Sequence, residues 1–114
     1  MDIRATWVAL LIPLAACGEY TVPAAHVTNA RNAIKAASAA GAAQSLQGGA
    51  YLATAESELK RAMESTGKGA DLLLLRSQVD AELALGLTRE EILRGQAEQA
   101  DDRARAFSTP PARP

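Results

Sequence analysis

Apolar residues recur at alternating spacings of three and four along most of the chain, which is the pattern of amphipathic helices. A first helix is predicted from roughly Pro23 to Leu46. Its apolar stripe consists of Val27, Ala30, Ile34, Ala37 and Gly41. The Gln47–Gly49 segment, with two consecutive glycines, predicts a break between this helix and the next.

A second helix is predicted from about Ala50 to Ser65, followed by a turn over Thr66–Gly69. Its apolar face consists of Leu52, Ala55, Leu59 and Ala62, widened by Met63. A third helix begins near Asp71, where a negative charge in the first turn favours the helix dipole. Its expected core stripe consists of Leu72, Leu75, Val79 and Leu83.

The pattern beyond Gly86 has two interpretations. Thr88 and Glu91 have the spacing of a capping box, which would restart the chain as a fourth helix. The alternative is one long, kinked third helix. In either case a heptad-like seam continues, which could pair with another chain. Its residues are Leu93, Ala97, Ala100, Ala104 and Phe107.

The fold class expected from these segments is all-α. Short turns make neighbouring helices antiparallel, so the predicted architecture is a small up-down bundle of three or four helices. Hydrophobic residues make up 48% of the chain, but aromatic residues only 4%. Because alanine supplies much of the apolar content and buries little area per residue, the core should be thin.

The chain starts with a short polar segment, Met1–Arg4, followed by twelve apolar residues, Ala5–Ala16. A bilayer-spanning helix needs about 20 apolar residues, whereas a run of this length suits the apolar region of a signal peptide. Pro13 also disfavours a regular spanning helix. The expected organisation is a signal peptide (1–16), a lipidated tether (17–24), an alanine-rich helical domain (25–107) and a proline-rich disordered tail (108–114).

The end of the apolar run, Leu14-Ala15-Ala16-Cys17, resembles the lipobox of bacterial prolipoproteins. The resemblance implies recognition of these four residues by lipoprotein signal peptidase, cleavage before Cys17 and lipidation of its sulfur. Gly18, in place of aspartate, favours the outer membrane by the same resemblance. Two alternatives remain open: ordinary secretion with cleavage after Ala16, and a buried N-terminal helix in which Cys17 is a small hydrophobe.

Charge and reactive residues exclude several function classes. Twelve basic and thirteen acidic residues are interspersed, so no basic surface for nucleic acid or anionic lipid is expected. His26 is the only histidine and is expected to be exposed at a helix start, so no metal site is predicted. Gly67–Gly69 lacks the context of a phosphate loop. The carboxylates considered as acid/base pairs are expected on solvent faces without a pocket that would raise a pKa: Glu56, Glu58, Glu64, Asp80 and Glu82.

Three features resemble the bacterial domain-of-unknown-function 4398 family: the helix ending in Ala-Gly-Ala, the Glu58–Ala62 run and the Asp80–Ala84 run. The resemblance spans roughly Val27 to Ala106 and implies a short, alanine-rich, helical envelope protein. It supplies no catalytic residues. Gln-Gly-Gly stands where family members usually start the second helix with a proline cap, and no wall-binding domain follows.

The sequence therefore predicts a protein that is not an enzyme and has no cofactor. The leading hypothesis is a membrane-anchored envelope lipoprotein facing the periplasm, most simply from the outer membrane. Its helical domain would bind an envelope protein or a second copy of itself. The alternative is a periplasmic binding module for cell wall or a small ligand, with a groove between the second and third helices. Tyr51 is the candidate contact residue at that groove.

Overall fold

The computed structural model describes residues 21–108 and 110. Three α-helices span Ala24–Ala39 (α1), Leu46–Glu64 (α2) and Lys68–Ser108 (α3), and a short 3₁₀-helix covers Ala42–Gln44. No strand occurs within residues 21–108, which confirms the all-α class for this part of the chain. None of the helices in the described residues is long and apolar enough to cross a membrane.

Helix α1 ends earlier than predicted. The backbone of Gly41 is left-handed, with φ of 88°, and its N–H donates to the carbonyl of Ser38 at 3.0 Å. A glycine in this conformation just past the last turn is a common helix terminator, since it has no Cβ to clash. The predicted continuation to Leu46 is therefore wrong, although the predicted stripe up to Ala37 does face the protein interior.

Helix α2 starts at the segment that was predicted to be a break. Ser45 caps the helix, because its Oγ accepts a hydrogen bond from the N–H of Gly48 at 3.0 Å. Gly48 and Gly49 consequently lie in the first turns of the helix. The predicted break at Gln47–Gly49 is therefore wrong. Gly48 allows α2 to pack closely against α3, because a Cβ at this position would lie 2.3 Å from Thr88 Oγ1 and 2.9 Å from the Ala84 carbonyl oxygen.

Contacts between α2 and α3 run in opposite directions along the two helices. Ser45 and Gly48 at the start of α2 meet Glu91 and Thr88 of α3. Further along α2, the carbonyl of Ala55 accepts a 2.7 Å hydrogen bond from the buried hydroxyl of Ser77. A short serine side chain reaches the backbone of another helix only where the two helices lie close together.

The core between the helices consists mostly of alanine. Ala37, Ala42, Leu52 and Ala84 form one buried cluster. A second contains Ala30, Ala62 and Leu74. Among the described residues, Leu52 and Leu74 are the only buried apolar side chains larger than alanine. Small residues bury little apolar area, so the core is thin, as the sequence predicted. They also allow the helices to approach each other closely.

Helix α3 is one continuous element of 41 residues. The turn before it is shorter than predicted: α2 ends at Glu64, and Gly67 adopts a positive φ of 81° immediately before Lys68. The alternative of a restart at Thr88 is wrong, because Thr88 is buried inside the helix and its Oγ1 donates to the carbonyl of Ala84 at 2.7 Å.

The predicted core stripe of α3 lies on the wrong side of the helix. Leu72, Leu75, Val79 and Leu83 are between 40% and 58% exposed. Met63, predicted to widen the apolar face of α2, is also exposed. The stripe of α3 that packs against α1 and α2 consists of smaller residues, with one leucine: Ala70, Leu74, Ser77, Ala81, Ala84 and Thr88. The larger apolar residues are excluded from a contact this close.

Two glycine-to-alanine substitutions distinguish the effect of helix packing on the free energy of unfolding from the effect of helix propensity. Gly48→Ala should lower the free energy of unfolding by about 1–3 kcal/mol, because its Cβ has no space against α3. Gly95→Ala should raise it by about 0.5–1 kcal/mol, because Gly95 is helical, lies off the exposed leucine face of α3 and has open space around it. Chemical denaturation measures both. Equal effects of the same sign would contradict the close α2–α3 contact.

Candidate functional site

The predicted lipidation site lies outside the described residues. Leu14, Ala15, Ala16 and Cys17 all fall within residues 1–20. Within the described residues, no group of three or more histidine, cysteine or acidic side chains is arranged to hold a metal ion. The candidate sites of the helical domain are therefore surfaces and grooves.

The most extensive of these surfaces is a stripe of exposed residues along α3, here called the outer stripe. It lies opposite the buried stripe of the same helix and follows spacings of three and four over almost the whole of α3. Every member is exposed. Glu90 is its only charged member, and the full set is Leu72, Leu75, Val79, Leu83, Gly86, Glu90, Leu93, Ala97, Ala100, Ala104 and Phe107.

Side-chain size changes along the outer stripe. Its first part carries Leu72, Leu75, Val79 and Leu83. Its second part contains all three alanines of the stripe and ends in Phe107, which is 91% exposed. From residue 96 to residue 108 every residue of α3 is exposed. At about 1.5 Å per residue this extension is roughly 20 Å long. The predicted C-terminal seam is thus a continuous helical surface that lacks a covering element within the described residues.

A polar contact holds α3 to the start of α2 just before this extension. The Oγ of Ser45 donates to the carboxylate of Glu91 at 2.6 Å while it accepts from the Gly48 N–H. The negative charge of Glu91 thereby lies near the N-terminus of α2, where the helix dipole favours it. This contact fixes the level at which α3 leaves the bundle.

A first groove lies between α1 and α3. Its volume is about 400 Å³ and its floor is largely apolar. The Nδ1 of His26 lies within hydrogen-bonding distance of Oδ1 of Asp71 at its edge. His26 is exposed at the start of α1, as predicted, but α3 supplies a carboxylate partner that the sequence did not indicate. The lining residues are His26, Asn29, Asp71, Leu72, Leu74, Leu75 and Gln78.

A second groove, of about 530 Å³, lies between α2 and α3, where the sequence-based alternative expected one. Tyr51 does not line it and is 40% exposed elsewhere on α2. The polar residues of this groove are Glu58, Arg76 and Asp80, together with Thr54. Glu58 is partly buried, and its Oε2 atom is enclosed without a hydrogen-bond partner.

Burial raises the pKa of the Glu58 carboxyl above its ordinary value of 4.5. Asp80 raises this pKa further, because a protonated Glu58 can donate a hydrogen bond to it and because two carboxylates repel. Arg76 and Arg61 partly oppose the shift. The expectation that these carboxylates all lie on solvent faces is wrong for Glu58, because its side chain is enclosed at the contact between two helices.

The charged side chains beside the outer stripe form local pairs. Arg94 bonds to Glu90 and Arg105 to Asp101, each at 2.6 Å and each one helical turn apart. All four side chains are at least 60% exposed, so each pair contributes only about 0.2–0.5 kcal/mol to the helix. Such weak pairs can exchange partners at an interface.

No family model matches this chain, and comparisons with curated proteins and with solved structures give no match. The resemblance to the domain-of-unknown-function 4398 family therefore stays a prediction.

Glu58 offers a test of the second groove through pH. Because its pKa is raised in the folded protein, the associated stability is present below pH 4.5 and is lost as the pH rises through the folded-state pKa. Glu58→Gln should therefore gain stability relative to the native chain between pH 4 and pH 7. Urea denaturation across this range measures the difference.

The matched control is Glu56→Gln, which removes an exposed carboxylate two residues away on the same helix. Its stability difference from the native chain should change much less with pH. A pH dependence of equal size in both variants would contradict the enclosed environment of Glu58.

Proposed function

We propose that this chain is a bacterial envelope lipoprotein whose helical domain is a non-catalytic interaction module. In this proposal, signal peptidase recognises Leu14-Ala15-Ala16-Cys17, and the diacylglyceryl group on Cys17 holds the protein to the membrane. The domain faces the periplasm, most simply from the outer membrane. It needs no cofactor and does not bind nucleic acid.

The observation that carries the proposal is the outer stripe of α3. Soluble domains rarely leave a long, continuous apolar surface uncovered unless it binds something. Leu72, Leu75, Val79 and Leu83 are exposed in a domain whose own core is nearly all alanine. A domain that places its larger apolar residues outside is suited to bind a partner through them.

The domain is proposed to be an up-down bundle in which successive helices are antiparallel. Support comes from the opposed order of contacts along α2 and α3, which joins Ser45 to Glu91 and Ala55 to Ser77. In the proposed arrangement the start of α1, to which a lipidated tether would connect, lies at the end of the bundle opposite the α3 extension. The extension then points away from the anchor.

A second candidate function is a periplasmic binding module for cell wall or a small ligand. The observation that favours it is the groove of about 400 Å³ between α1 and α3, where His26, Asn29 and Gln78 surround an apolar floor. Retention of the protein on purified cell wall, with loss of retention in Asn29→Ala, would support this candidate. Equal retention of both forms would contradict it.

Lipidation is tested by the intact mass of the protein from a bacterial membrane fraction. The native chain should begin at Cys17 and carry the added mass of diacylglyceryl and acyl groups. Cys17→Ala should remain an unprocessed precursor, because only the cysteine sulfur forms the thioether.

A native protein that begins at Met1 without added mass would contradict the proposed anchor. Cleavage after Ala16 without lipid would show ordinary secretion, and would also contradict it. Neither result depends on whether the helical domain binds a partner.

A further inference from the structure

We infer that the outer stripe of α3 pairs with the outer stripe of a second copy of this chain, in antiparallel orientation. The inference deepens the proposed interaction function by naming the partner, and it rests on that function only in requiring the stripe to be a binding surface. A two-fold axis would cross α3 at the level of Thr88, and each contact would occur twice.

The first argument is the distribution of side-chain size along the stripe. Larger apolar residues occupy most of its first half, whereas its three alanines all lie in its second half, together with Leu93 and Phe107. Antiparallel pairing about the level of Thr88 places Leu72 opposite Ala104 of the second copy and Val79 opposite its Ala97. In these two layers a larger residue faces an alanine, which is how facing helices fill the space between them.

The ends and the centre of the stripe follow the same rule. Phe107 would lie opposite Gly69 of the second copy, and Gly69 has open space around its Cα. At the centre, Glu90 faces Gly86, which leaves room for the carboxylate, and Gly86 also has open surroundings. Next to this central pair, Leu83 faces Leu93 of the second copy, and here two large apolar residues meet.

The second argument is charge. In the antiparallel arrangement Asp80 flanks the stripe beside Arg94 of the second copy, and the symmetry produces this opposite-charge contact twice. Arg94 is 66% exposed in its present pair with Glu90, so a shift toward Asp80 of the second copy requires no unfolding. Arg89 of the two copies approach each other near the axis, next to the two Glu90 carboxylates.

A parallel, in-register pair is disfavoured on both grounds. Each residue would then face its own copy, so that Glu90 meets Glu90 in the stripe and Arg89 lies near Arg94. Leucines would crowd at one end, and alanines would leave poorly filled space at the other. Antiparallel pairing instead places Glu90 opposite Gly86 and distributes the larger apolar residues over the whole length of the contact.

The test uses the full chain in detergent with Cys17→Ala, so that introduced cysteines are the only thiols and lipidation plays no part. A tagged Leu72→Cys chain is mixed with an untagged Ala104→Cys chain and oxidised. The expected product is the mixed disulfide between the two chains. A Gln99→Cys chain in place of Ala104→Cys is the control, because Gln99 is exposed on the other side of the same extension.

A matched pair of charge variants tests the surface itself. Ala97→Lys, introduced into both cysteine chains, should reduce formation of the mixed disulfide about tenfold or more, because it buries an unpaired ammonium group. Gln99→Lys adds the same charge off the stripe and should leave the yield unchanged. Neither residue contacts the core, so circular dichroism should show native helix content in both.

Three results would overturn the inference. These are disulfides between identical Leu72→Cys chains in preference to mixed ones, mixed disulfides no more frequent than with Gln99→Cys, and equal loss of yield in Ala97→Lys and Gln99→Lys. Failure of the disulfide test would not affect the mass-spectrometric test of the Cys17 anchor, and failure of the anchor test would not affect the disulfide test.

Discussion

The close contact between α2 and α3 is the constraint on which the rest of the structure depends. Gly48 lies so near α3 that a Cβ would meet the carbonyl oxygen of Ala84 at 2.9 Å, and the hydroxyl of Ser77 reaches the Ala55 carbonyl at 2.7 Å. At this separation most of the side chains between the helices are small, with Leu52 and Leu74 as the larger exceptions. The larger apolar residues of α3 must therefore point elsewhere, and they form the outer stripe.

Helical periodicity predicted the buried stripes of α1 and α2, because each has only one apolar stripe, but it misplaced the end of α1 and the start of α2. On α3 two stripes share the same heptad spacing, one of leucines and one of small residues with Leu74. The leucine stripe is the more apolar and would be expected in the core. The stripe of small residues is buried instead, because small side chains suit the short distance to α2. Ser77 and Thr88 would be poor core residues in a wider interface, yet here they bond to backbone carbonyls.

The sequence therefore identified the apolar residues of the outer stripe, but it assigned part of them to the core instead of the surface. Leu72 to Leu83 were expected inside, and Leu93 to Phe107 were expected to continue as a seam. The structure joins both into one exposed surface on a single helix. The Gly48 contact depends on residues about 40 positions apart in the chain meeting in space, and the environment of Glu58 on residues about 20 positions apart. No local pattern contains that information.

A thin core and a long exposed stripe together suit a domain that gains stability from association. Two copies joined through α3 would bury the leucines that the monomer leaves outside, at roughly 25 cal/mol per Å² of apolar area. The α3 extension would then be covered along its full length. In the proposed lipoprotein this arrangement would place the two anchors at opposite ends of the paired helices.

Hydrogen exchange along α3, measured on the full chain at increasing protein concentration, tests the central claim most directly. Residues 96–108 are all exposed within the described part of the chain, so the protection of their amides should rise with concentration as the second copy covers them. Amides near Ser77, held by the α2 contact, should be protected at every concentration. Rapid exchange of residues 96–108 at all concentrations would contradict the account.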